Sequence, residues 1–125
     1  MSEHKPVILY VDDDPDYLEV LRTILEANGY EMVEAASGEE GLEVYKSAKP
    51  DLVIVDLMME EVDTGTSFAK ELRLLGNTVP VYMLSSVGEG MNLAGDYASL
   101  GIAGIFQKPI DRGTLLAVLK QRLGR

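Results

Sequence analysis

Five short strand-like runs punctuate the chain, near Val7–Val11, Glu31–Ala35, Leu52–Val55, Val81–Leu84 and Gly104–Gln107. Four are almost wholly apolar, as strands covered on both faces should be, while Glu31–Ala35 is more polar and reads as an edge. Between them apolar positions recur with a helical period. Leu18, Leu21 and Leu25 share one stripe, Phe68, Leu72 and Leu75 another, and Leu115, Val118, Leu119 and Leu123 a third. Helix ends are signalled as well: Asp14 can cap a helix opened by Pro15 and stopped by Gly29, Ser37 with Glu40 forms a capping box, and Asp111 can cap the last helix. The weakest stretch is Ser86–Leu100, where Gly88, Gly90 and Gly95 dilute the pattern and predict a loop with a marginal fourth helix.

Strand and helix alternating in this way predict a doubly wound α/β domain with a parallel sheet. Polar residues then gather at one end of it. Asp12, Asp13 and Asp14 follow the first strand, Asp56 ends the third, Ser85 closes the fourth and Lys108 follows the fifth. In open α/β sheets ligands bind beyond the carboxyl ends of the strands, where strand order reverses. For the order 2-1-3-4-5 that point lies between strands one and three, which would bring Asp12, Asp13 and Asp56 together.

Carboxylates so close repel one another and attract a cation. Magnesium suits them, being a hard ion that takes one or two carboxylates together with water and phosphate oxygens. A carboxylate beside such an ion can act as a nucleophile toward phosphorus, and phosphoryl transfer asks mainly for positioning and positive charge. Asp56 is the candidate nucleophile, Asp12 and Asp13 the candidate metal ligands, Lys108 a second cation and Ser85 a hydrogen-bond donor.

Composition narrows the field. The chain has 125 residues, enough for one domain with a real core, and 46% of them are hydrophobic. The formal charge of −10 has the wrong sign for neutralising phosphates, which argues against nucleic-acid binding. With no cysteine, disulfides and thiolate metal sites are excluded. The opening residues lack the build of a signal peptide, and no apolar run approaches the roughly 20 residues of a membrane span. The expectation is a single cytoplasmic domain over residues 1–125, with residues 1–5 as a loose end.

The set Val11-Asp12-Asp13-Asp14-Pro15, Val55-Asp56-Leu57-Met58-Met59, Met83-Leu84-Ser85-Ser86 and Lys108-Pro109 resembles a response-regulator receiver domain, from Pro6 to Leu123. Each motif alone is weak; four in order at matched strand ends are strong. The resemblance implies a flavodoxin-like five-stranded sheet with five helices on its two faces. It implies that Asp56 accepts a phosphoryl group from a phosphohistidine on a sensor histidine kinase or histidine phosphotransfer protein. It further implies that Mg2+ is bound directly by Asp13, Asp56 and the Met58 backbone carbonyl, and through water by Asp12. Ser85 would move toward the phosphoryl group, Lys108 would bridge the site, and Pro109 would follow a cis peptide bond. The output would be a shift in the face formed by the fourth helix, fifth strand and fifth helix, a face that also offers a route to a homodimer. The domain would not be a turnover enzyme.

Two departures from the family pattern stand out. Glu60 occupies the usual proline position four residues after the acceptor, and Gly65 comes one residue later than the usual glycine. The segment 60–64 is therefore longer and more acidic than usual. Ile105 replaces the aromatic often found three residues before the lysine, with Phe106 beside it, so the usual aromatic switch is expected to be absent or altered.

Other readings fit less well. An EF-hand over Asp12, Asp14 and Asp16 fails, because Tyr17 stands where glycine is needed and Thr23 where a glutamate belongs. Asp14 is most simply a helix cap. An aspartate-nucleophile phosphohydrolase would place a second aspartate where Met58 stands. A flavin carrier lacks its phosphate loop after the first strand. A phosphorylation-independent interaction module on the same fold is the main alternative.

Overall fold

The computed structural model describes residues 5–56, 70–86, 102–108 and 110–124. Along the chain lie β1 (Val7–Val11), α1 (Pro15–Ala27), β2 (Glu31–Ala35), α2 (Gly38–Ala48), β3 (Leu52–Asp56), a helical segment over 70–74 (α3), β4 (Val81–Ser86), β5 (Gly104–Lys108) and α4 (Arg112–Leu123). All five strands form one parallel sheet in the order β2-β1-β3-β4-β5, with β2 on an edge as its polarity predicts. The expected fourth helix, Met58, residues 60–65 and Pro109 lie outside the described residues, so the last helix is α4.

Alternation along the strands divides the core into two layers. Ile8, Tyr10, Leu52, Ile54, Tyr82, Leu84 and Phe106 pack with Leu21 and Leu25 of α1 and with Leu115 and Leu119 of α4. Leu9, Val11, Val53, Val55, Val81 and Met83 face the other way, toward α2 and Leu72 of α3. Both faces of the sheet are therefore covered, which is why its inner strands carry so few polar residues. Among the described residues, no helix is long and apolar enough to cross a membrane.

The caps form much as the residue types dictate. The Asp14 side chain accepts from Asp16 N at 3.0 Å, and Asp111 Oδ2 accepts from Thr114 N at 2.8 Å. Ser37 Oγ accepts from Glu40 N at 3.1 Å, while Glu40 Oε1 reaches the N–H of Ala36, one residue before the cap. Leu75 departs from the predicted stripe: it is 50% exposed, because the helix closes with Gly76 at φ +83° and carries Leu75 into the terminating turn. The strands also run further than their apolar residues. β3 includes Asp56, β4 includes Ser85, and β5 includes Lys108. The chemically interesting residues are thus held by the sheet's own ladder.

Candidate functional site

Strand alternation explains which side chains meet. Asp12, Asp56 and Lys108 each lie two residues beyond a member of the α1/α4 core layer, namely Tyr10, Ile54 and Phe106, so they emerge on that same face. Hydrogen bonding between Asp12 N and Ala35 O at 3.0 Å continues the β1–β2 ladder one step past β1. Asp12 and Asp56 are buried and Asp13 is exposed, yet one oxygen from each of the three comes within 4.8 Å of the others. The carboxylates therefore open to solvent on the Asp13 side.

Lys108 supplies the positive charge. Its Nζ lies 3.3 Å from Asp56 Oδ1 and 3.8 Å from Asp12 Oδ2, and it sits 4.5 Å from the centroid of the Tyr17 ring on α1. Like charges about 4 Å apart in a partly buried setting repel by roughly 4 kcal/mol. Three carboxylates gathered this closely, with the Lys108 ammonium against two of them, form a group that could hold a metal ion. All three ligands are hard oxygens, which suits Mg2+ or Ca2+ and not a thiophilic metal.

Asp12 is fixed from two directions. Its Oδ1 accepts from Asp14 N at 2.9 Å, and its Oδ2 accepts from the Tyr10 hydroxyl. Burial, and after it the adjoining Asp12 carboxylate, push the Tyr10 phenol far above its ordinary range, so it remains a donor. Ser85 lies in the last rungs of the ladder, one residue before the end of β4, and its buried Oγ has no hydrogen-bond partner among the described residues.

The structure thus brings together Asp12, Asp13, Asp56 and Lys108, leaves Ser85 alongside, and does not describe Met58. Tyr10 and Tyr17 are members of the site that motif reading passed over. Tyr10 was legible in principle, since residues i and i+2 of a strand share a face and a phenol there can reach Asp12.

The family model for the response regulator receiver domain matches residues 8–120. The chain belongs to the response-regulator receiver family. It is 37% identical over 121 residues to the transcriptional regulatory protein GlrR of Escherichia coli, covering 96% of this chain and 27% of that protein. It is 38% identical over 82 residues to the alkaline phosphatase synthesis regulator PhoP of Bacillus subtilis, covering 66% of this chain and 34% of that protein. The receiver thus spans about a third or less of these two relatives. Among solved structures, the Vibrio cholerae chemotaxis regulator CheY4 superposes with a TM-score of 0.85 at 30% identity, covering 96% of this chain and all of that one (100%). A response regulator from Chloroflexus aurantiacus gives 0.84 at 32% identity, over 98% of this chain and 100% of that one.

Against the family pattern, Ile105 is 36% exposed on β5, while its neighbour Phe106 is buried and stacks on Tyr82 with ring centroids 5.1 Å apart. The aromatic of this receiver's fifth strand is therefore committed to the core. An aromatic at position 105 would stand at the surface instead.

Proposed function

We propose that this receiver accepts a phosphoryl group on Asp56 and uses the modification as a signalling switch. The observation that carries the proposal is the meeting of Asp12, Asp13, Asp56 and Lys108 at the carboxyl end of the sheet. In the transfer, an Asp56 carboxylate oxygen attacks phosphorus while the P–N bond breaks in a phosphohistidine protonated on its other ring nitrogen. The bond's electron pair stays on the leaving nitrogen, so the products are an acyl phosphate and a neutral imidazole. The donor is a histidine kinase or a histidine phosphotransfer protein, as the family implies.

Asp13 and Asp56 would hold Mg2+ directly, with the Met58 carbonyl, and Asp12 would hold it through water. Such an ion supplies charge neutralisation for the phosphoryl oxygens. Lys108 does related work from the protein side: once Asp56 is phosphorylated, the lysine ammonium can pair with the phosphoryl group. The Ser85 hydroxyl, without a hydrogen-bond partner among the described residues, gives the switch its logic. A buried donor without an acceptor costs free energy, on the order of 1–3 kcal/mol. A phosphoryl oxygen at Asp56 offers that donor an acceptor and favours the conformation in which β4 and its following loop move toward it.

The domain performs this transfer on itself and is not a turnover enzyme. Its negative charge leaves DNA binding to other parts of any longer protein that carries it. The test is intact mass after incubation with acetyl phosphate and Mg2+, beside EDTA-treated protein and Asp56→Ala. One phosphoryl adduct, lost in both controls, is expected. No adduct from acetyl phosphate or from a phosphohistidine donor would favour a phosphorylation-independent module on the same fold.

A further inference from the structure

We infer that Tyr10 is a positioning residue for the cation site, acting through Asp12. This inference rests on the reading of Asp12, Asp13 and Asp56 as the Mg2+ site. Tyr10 is fully buried in the core layer shared with α1 and α4, with its hydroxyl at the carboxylate end of that layer. Its acceptor there is Oδ2 of Asp12, which is itself fully buried. Core packing therefore fixes the ring, and the ring fixes the carboxylate.

The remaining contacts of Asp12 show why this matters. Oδ1 is taken by the Asp14 amide at 2.9 Å. Lys108 Nζ stands 3.8 Å from Oδ2, too far for a hydrogen bond, and is nearer Asp56 at 3.3 Å. The phenol is thus the hydrogen-bond donor to Oδ2 among the described residues. Without it, a buried oxygen would lack its donor, and the nearest replacement is the Lys108 ammonium. Drawing Lys108 onto Asp12 would take the carboxylate from the orientation that the phenol and the Asp14 amide give it. A ligand no longer held in place weakens the cation site. The opposing effect, withdrawal of electron density from Asp12 by the phenol, is smaller, because hydrogen-bond partners of metal ligands generally raise metal affinity by 10- to 100-fold (an order-of-magnitude range).

The experiment titrates Mg2+ alone into the full chain by calorimetry, comparing the parent with Tyr10→Phe and Tyr82→Phe. Tyr82 is a second core tyrosine, and its hydroxyl accepts from Arg122 Nε at 2.8 Å instead of facing the carboxylates. Tyr10→Phe should raise the Mg2+ dissociation constant about tenfold, and Tyr82→Phe should leave it as in the parent. In acetyl phosphate labelling, Tyr10→Phe should shift the half-saturating Mg2+ concentration by the same factor and reach the parent rate at saturation. Parent-like or tighter Mg2+ binding by Tyr10→Phe overturns the inference. A parent that binds no Mg2+ removes the site reading beneath it, a separate and distinguishable failure. If Tyr10→Phe does not fold, replacement of Tyr10 by 4-aminophenylalanine decides the matter. That side chain keeps a donor in place and should keep parent affinity, and a loss there contradicts the assignment.

Discussion

The Lys108 ammonium lies 3.3 Å from Asp56 Oδ1 although β4 separates their strands. The side chain reaches across β4 and is 18% exposed, with the Tyr17 ring against it. Breaking a buried ion pair by removing one partner costs roughly 3–5 kcal/mol, and partial exposure reduces that figure. Lys108→Ala should therefore lose about 2 kcal/mol of stability without Mg2+, read from urea unfolding. Mg2+ should stabilise this variant more than the parent, since the ion no longer shares the carboxylates with an ammonium. The phosphoryl adduct should still form. Unchanged stability in both conditions would mean that the pair contributes nothing.

Gly104 opens β5 directly beneath the Tyr82 ring. A Cβ at this position would lie 2.8 Å from Tyr82 Cε2, and the ring cannot easily retreat. It is stacked on Phe106 and hydrogen-bonded through its hydroxyl to Arg122 of α4. Gly104→Ala should cost roughly 1–3 kcal/mol by overpacking. Combined with Tyr82→Leu, which removes the ring, the added cost of the alanine should disappear. An equal cost in both backgrounds would place its origin in the backbone.

Asp111 caps α4, and its hydrogen bonds from the Thr114 hydroxyl and amide hold its carboxyl below the ordinary carboxylate range. A lowered folded-state value means stabilisation that is present above the unfolded carboxyl range and is lost as pH falls through the folded value. Asp111→Ala should lower the thermal midpoint at pH 7 by a few degrees. The gap from the parent should narrow as pH falls through the lowered folded-state value of the Asp111 carboxyl. Asp111→Asn keeps a cap without a titrating charge and should show a flatter pH dependence. A gap for Asp111→Ala that persists unchanged into acid would contradict this role.

The architecture was legible because strands and helices here follow different periods and their boundaries carry caps. Asp14, Ser37 and Asp111 all cap the helices they were expected to cap. The edge position of β2 followed from its glutamates. The meeting of Asp12, Asp13, Asp56 and Lys108 was legible because a parallel sheet aligns its strand ends. Other features depend on relations that a linear reading does not carry. Leu75 matches a helical stripe but falls in the turn that ends its helix. Tyr10 looked like one more apolar strand residue, since its hydroxyl matters only once Asp12 is known to be buried beside it. Tyr17 meets Lys108 only through the packing of α1 against the sheet end.

The assignment of Asp56 as phosphoacceptor underlies every role proposed for the site. It is tested most directly by treating the acetyl phosphate–labelled protein with borohydride, which reduces an acyl phosphate to an alcohol, and locating the reduced residue by peptide sequencing in a mass spectrometer. Reduction is expected at Asp56, dependent on Mg2+ and absent from Asp56→Asn, whose thermal unfolding should remain cooperative. Reduction at Asp12, Asp13 or another carboxylate, or a label that persists in Asp56→Asn, would contradict it.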